Sequence, residues 1–207
     1  MNDKLVFYTN PMSRGRIVRW MLEELAIPYE TEVLQYGSSI KSSEYLALNP
    51  MGKVPAIKHG DVFVTETAAI CAYLADVFAN KKLAPQTLDE KARYYRWMFF
   101  VAGPLEQAIG LKLVGAEITS EHQKSLGCGN PIDTFKTLAK AVSDTPYVAG
   151  DRFTAADVIV ASYIGFYTRF KLLDEVPEFT SYLERVYNRP ARIKANQLDD
   201  SLLQNSN

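Results

Sequence analysis

Cysteine and histidine are scarce in this chain, two of each among 207 residues. Cys71 and Cys128 form no Cys-x-x-Cys pair, so neither an internal redox dithiol nor a thiolate-rich zinc site has support. His59 and His122 cannot join them at any ligand spacing usual for zinc, and no metal is expected. An excess of one charge is also missing: 23 Lys+Arg stand against 24 Asp+Glu, a formal net charge of -1. Nothing therefore points to a nucleic-acid or anionic-membrane partner. No apolar run approaches the ~20 residues that a membrane span needs. The first residues, Met1-Asn2-Asp3-Lys4, lack the basic-then-apolar pattern of a secretory leader. A reducing, cytoplasmic setting is the expectation.

The composition that is present, 47% hydrophobic and 23% charged, is that of a globular chain with enough apolar mass for a core. The first eighty or so residues alternate strand and helix signals. Leu5-Val6-Phe7-Tyr8 reads as a buried strand stopped by Asn10-Pro11. Ile17, Val18, Met21, Leu22 and Leu25 then fall on one helical stripe, and Pro28 closes it. Tyr29 to Leu34 alternates as a strand, and Ser42 to Leu48 is a short helix before Asn49-Pro50-Met51-Gly52. Val54-Pro55-Ala56-Ile57 and Val62-Phe63-Val64, joined through His59-Gly60-Asp61, predict a hairpin. Its first strand starts at a proline, where the missing N–H costs no ladder bond. Thr65-Glu66-Thr67 then opens another helix by capping chemistry. A βαβ unit beside a hairpin is a mixed α/β sheet.

Residues 79–88 break this pattern as a linker, and from 89 to 207 the signals are helical. Asp89 to about Val114 predicts one long helix, bent near Gly103-Pro104. Ser120 to Val142 is helical with a break at 127–131, where Cys128 is expected to be exposed. Cys71, on an alanine-rich helix stripe, is expected to be buried packing. Thr154-Ala155-Ala156-Asp157 is a capping box with aspartate in the acidic position, flanked by Phe153 and Val158 as a staple. Residues 199–207 read as a frayed polar end.

Three blocks, in this order and spacing, resemble the glutathione transferase superfamily. The first is Phe7-Tyr8, then Asn10-Pro11-Met12-Ser13-Arg14-Gly15-Arg16 with Trp20 to Leu25. The second is Asn49-Pro50-Met51-Gly52-Lys53-Val54-Pro55-Ala56 followed by Thr65-Glu66-Thr67. The third is Val148-Ala149-Gly150-Asp151 with Thr154 to Asp157. The resemblance implies a thioredoxin-like glutathione-binding domain over 1–78 and an all-helical C-terminal domain over 89–207, usually as a homodimer. The activity it implies is attack of the glutathione thiolate on a hydrophobic, electrophilic small molecule. An isomerase or peroxidase of the same fold, or a non-catalytic binding protein, are the alternatives.

Glutathione brings two carboxylates, an ammonium and a thiol, and a protein that activates it must hold the ends and favour the thiolate. By itself Ser13 reads as a helix cap. The resemblance makes it the catalytic residue of a serine-type member, with Tyr8, at the end of the first strand, as the alternative. Cysteine-dependent members carry their thiol at this helix start, so a serine there argues against thiol–disulfide transfer. The resemblance also implies a cis bond at Val54-Pro55. The Val54 backbone would then pair with the cysteinyl residue of glutathione, like an added strand. Lys53, and Lys41 with it, would take the glycyl carboxylate; Thr67 would take the γ-glutamyl carboxylate and Glu66 the amino end. Arg14 and Arg16 would add positive potential near the sulfur or meet a partner subunit. The second substrate would lie against the long helix, near some of Tyr94, Trp97, Phe100, Tyr163, Phe166 and Tyr167, most of which read as core.

Overall fold

Strand β1 (Leu5–Thr9), helix α1 (Gly15–Leu25) and strand β2 (Glu30–Val33) form a parallel βαβ unit. A 3₁₀ turn at Ser39–Lys41 and α2 (Ser43–Leu48) lead to the hairpin of β3 (Ala56–His59) and β4 (Val62–Thr65), and α3 (Thr67–Val77) follows. The sheet order is β2-β1-β3-β4, with β1–β3 and β3–β4 antiparallel. This is the expected thioredoxin-like arrangement. The computed structural model describes residues 4–204.

The period of two along β1 sends alternate side chains to opposite faces of the sheet. Phe7, fully buried, lies beneath α1, where the Arg19 guanidinium covers its ring at 5.0 Å. Tyr8 faces the other way, into a cluster with Ile40, Tyr45, Leu34, Val54 and Phe63. The sheet is thus covered on both faces. Helix α1 and the 3₁₀–α2 segment do different work: α1 carries the deeper core, while α2 shapes the loop before β3.

Contacts divide the chain into two units, one running to Lys81 and resuming at Asn188, the other spanning Lys82–Tyr187. The second unit holds α4 (Leu88–Phe100), α5 (Glu106–Leu113), α6 (Ser120–Ser125), α7 (Pro131–Asp144), α8 (Ala155–Arg169) and α9 (Pro177–Tyr187). The bend expected near Gly103-Pro104 is a π-helical turn at Val101–Leu105. Pro104 has no N–H to give and crowds the carbonyl four residues back, and the wider turn accommodates both. Tyr94, Trp97, Tyr163 and Tyr167 are core, whereas Phe166 is exposed.

At the start of α8, Asp157 is fully buried. It accepts from the N–H of Val148 (2.8 Å), the N–H of Thr154 (2.9 Å), the Thr154 hydroxyl (3.1 Å) and the Tyr182 hydroxyl (2.8 Å). The capping box therefore also ties α8 to the 148 loop and to α9. The segment following residue 81 is fastened by Arg152, which donates to the carbonyls of Lys82 and Ala84 and pairs with Glu90 at 2.7 Å. The Arg152 hydrogen bond pulls the Glu90 carboxyl down to about 2.

Three expectations change. Cys128 is buried: its N–H donates to Gln107 (2.9 Å) and its carbonyl accepts from Thr134 (2.8 Å), so the glycine-rich break is folded in. Residues 199–204 are not a frayed end. Helix α10 (Pro190–Gln204) continues through them, and Asp199 is buried against Arg19 at 2.9 Å; residues 205–207 lie outside the described residues. Finally, α10 does not group with the helical unit. It packs along α1 through Lys194–Glu23 (2.7 Å) and Asp199–Arg19, with Arg189, just ahead of it, on Glu24 (2.6 Å), so its charge pattern assigns it to the sheet-containing unit.

Candidate glutathione site

Strand register brings the candidate residues to one end of the sheet. Tyr8 pairs with Ala56, and Ala56 with Thr65, which makes one row across β1, β3 and β4. Just beyond that row lie the turn after β1 with Ser13, Val54-Pro55 before β3, and Glu66-Thr67 after β4. The antiparallel topology accounts for this convergence from three separate stretches of sequence.

The Ser13 turn is built by Asn10. Its side-chain oxygen accepts the Met12 N–H (2.9 Å), an Asx turn, while its amide donates to the Leu34 carbonyl (2.8 Å) beyond β2. The Asn10 carbonyl accepts both the N–H (3.0 Å) and the hydroxyl (2.7 Å) of Ser13. The Ser13 oxygen in turn accepts the N–H of Gly15 (2.9 Å). Helix α1 begins at Gly15, so Ser13 stands two residues ahead of it, half-buried. A side chain at position 15 would overlap the Thr9 hydroxyl, at 1.9 Å from where its Cβ would lie, so this close approach requires glycine.

Tyr8 is half-buried, its ring 5.7 Å from that of Tyr45 and 5.8 Å from that of Phe63. Burial, and then the Glu32 carboxylate, push its phenol above the usual value despite the opposing Lys4. It is a protonated donor at neutral pH, within an aromatic cluster.

Before β3, Asn49 repeats the chemistry of Asn10. Its oxygen accepts the Met51 N–H (3.2 Å) and its amide donates to the Lys53 carbonyl (2.8 Å), which also accepts from the Tyr45 hydroxyl (2.6 Å). The Lys41 ammonium donates to the Met51 carbonyl (3.0 Å), placing it on the same loop as the exposed Lys53. The Val54–Pro55 bond is cis and Pro55 is buried. Val54 lies outside the ladder, and its main-chain N–H and C=O make no hydrogen bond among the described residues.

Glu66 is exposed and has φ 66° and ψ 119°, a region that non-glycine residues adopt at a cost of about 1–3 kcal/mol. The first bond of α3 runs from the Ile70 N–H to the Glu66 carbonyl (2.8 Å). The N–H groups of Thr67, Ala68 and Ala69 thus lie ahead of the helical ladder.

Residues 12–77 match the family model of the glutathione S-transferase N-terminal domain, and residues 133–190 that of the glutathione S-transferase C-terminal domain. The glutathione S-transferase-like protein OpS6 of Beauveria bassiana is 30% identical over 194 residues, covering 84% of this chain and 85% of that protein. The chain belongs to the glutathione transferase family. The theta class glutathione S-transferase of Xanthomonas axonopodis pv. citri, solved with glutathione bound, aligns with a TM-score of 0.73 and 26% identity over 94% of this chain and 97% of that one. A glutathione transferase of Methylococcus capsulatus shares the fold, with a TM-score of 0.77 and 24% identity over 95% and 98%.

Sequence reasoning missed three contributors to the site: Asn10, Asn49 and Tyr45. The two asparagines were legible as Asn-Pro turn residues. Tyr45 was not, because only the folded loop brings its hydroxyl to Lys53. Arg16, expected to add positive potential near the sulfur or to meet a partner subunit, is committed to the Pro11 carbonyl (2.7 Å) and to Asp200 (2.7 Å). Among the described residues no group of His, Cys, Asp and Glu is arranged to hold a metal, and no helix is long and apolar enough to cross a membrane.

Proposed function

We propose that this family member catalyses attack of the glutathione thiolate on hydrophobic electrophiles, as a cytoplasmic homodimer, with Ser13 stabilising the thiolate. The observation that carries this reading is the Ser13 hydroxyl at the sheet end where the open Val54 main chain and the start of α3 also converge. Rotation of the Ser13 O–H from the Asn10 carbonyl toward a sulfur leaves that carbonyl satisfied by the Ser13 N–H. The Gly15 N–H still donates to the Ser13 oxygen, which polarises the hydroxyl and makes it a better donor. A thiolate held this way needs little reorganisation during the reaction.

The other candidates position the tripeptide. The Val54 N–H and C=O pair with the cysteinyl backbone, with Pro55 buried behind them. Lys53 and Lys41 draw the glycyl carboxylate to their loop as point charges. Thr67 and the unpaired N–H groups of α3 receive the γ-glutamyl carboxylate, and Glu66 receives the ammonium.

The test is the thiolate absorbance of bound glutathione across pH. The thiolate is expected well below the free thiol value of about 8.5. Ser13→Ala should remove that shift and lower kcat about 100-fold while glutathione still binds. Tyr8→Phe should leave both nearly unchanged. If Tyr8→Phe abolishes the shift and Ser13→Ala retains it, the roles are reversed; binding with no shift in the unaltered protein would indicate a carrier.

A further inference from the structure

We propose that helix α10 is a positioning element for the Ser13 turn, acting through Arg16 and Asp200; the inference rests on the reading of Ser13 as the thiol-activating residue. Arg16 sits in the first turn of α1, and its side chain folds back. Its Nε donates to the Pro11 carbonyl and one terminal nitrogen donates to Asp200 Oδ1, each at 2.7 Å. Pro11 is the second residue of the turn whose first carbonyl, that of Asn10, holds both the N–H and the hydroxyl of Ser13. The guanidinium is a rigid planar fork. With one prong on the turn and one on α10, it fixes the separation of the two.

The far side of that fork is itself anchored. Asp199 is buried on Arg19, Lys194 pairs with Glu23 and Arg189 with Glu24, so α10 is held along most of α1. Of these pairs, Asp200–Arg16 is the one that reaches the Ser13 turn. Its energetic worth for stability is small, because the Arg16 and Asp200 side chains are 31% and 58% exposed, and exposed pairs contribute little. Geometry is a different matter, since a 1 Å displacement of a reacting group can cost about 100-fold in rate. The pair is therefore placed to govern where Ser13 stands rather than whether the unit folds. With Asp200 neutralising it, Arg16 acts by position and not as a free charge beside the sulfur.

The experiment compares the thiolate fraction of bound glutathione, just below the wild-type midpoint pH, in the full chain and its variants. Arg16→Ala is expected to lower that fraction about tenfold and Asp200→Asn about threefold. Asp200→Glu, which keeps the acceptor, should restore most of it. Lys194→Ala, which cuts α10 from α1 elsewhere, should match the wild type. Thermal midpoints should be nearly the same across the set; if Arg16→Ala unfolds, the exposed isosteric change Asp200→Asn decides. A wild-type thiolate fraction in Asp200→Asn overturns the proposal. So does a rise in that variant, the sign of a released guanidinium acting through charge. Ser13→Ala is run alongside: if it keeps the thiolate, the serine reading itself fails, and if it loses the thiolate while the Arg16 and Asp200 variants do not, only the role of α10 fails.

Discussion

The tripeptide Asn-Pro-Met occurs twice, at 10–12 and at 49–51, and folds the same way both times. In each, a buried asparagine accepts the N–H two residues on, gives its amide to a carbonyl at 2.8 Å, and accepts the N–H three residues on with its own carbonyl. The fourth residue sets the difference. Ser13 adds a hydroxyl to the Asn10 carbonyl and leads into α1. Gly52, at φ 54°, turns the chain the other way, into Lys53 and Val54 ahead of the cis bond to Pro55. One turn thus ends in a hydroxyl side chain, and the other ends in an open main chain. The two turns part at the side chain of the fourth position, serine in one and glycine in the other.

Making the two turns alike at that position should have the largest effect. Ser13→Gly should lower kcat about 100-fold, read in steady-state turnover, with a change of only a few degrees in Tm. Removing the shared asparagine comes next. Asn10→Ala deprives the Leu34 carbonyl and the Met12 N–H of their partner and should cost about 2–3 kcal/mol in urea unfolding. Asn49→Ala should cost less, about 1–2 kcal/mol, because Tyr45 still donates to the Lys53 carbonyl. Gly52→Ala should cost no more than Asn49→Ala, about 1–2 kcal/mol for a side chain in the left-handed region. Its Cβ would lie 2.7 Å from the Lys41 ammonium and 3.0 Å from the Ile40 carbonyl, so the same variant should also weaken glutathione binding by displacing Lys41. A Gly52→Ala protein as stable as the wild type would show that the second turn tolerates the exit of the first.

Much of this was legible because it is local. The βαβ order, the hairpin at His59-Gly60-Asp61 and the Thr154–Asp157 box each follow from residues within a few positions of one another, where period and capping chemistry decide the outcome. The turn that holds Ser13 is local as well, three residues after its asparagine, but the residues alone gave Ser13 only as a cap, and its site role came from the resemblance. What escaped the sequence reading depends on partners far apart in the chain. Arg19 and Asp199, 180 positions apart, carry no mark that distinguishes them from surface charges. Once they are paired, α10 moves to the other unit and residues 199–204 become ordered helix. Cys128 escaped for a related reason: glycines on both sides suggest an open loop, and only Gln107 and Thr134 close it.

The grouping of α10 with the first unit has a consequence for the timing of synthesis. The sheet and α1 are synthesised before the whole of the second unit, and the acidic residues that meet Arg16 and Arg19 only after it. Until then Arg19 is a guanidinium laid over Phe7 without its carboxylate, and the sheet-containing unit lacks its last helix. A chain that stops before residue 199 keeps every strand of the sheet but leaves a buried cation uncompensated, a costly arrangement. Closure of the first unit therefore waits until the second has been synthesised.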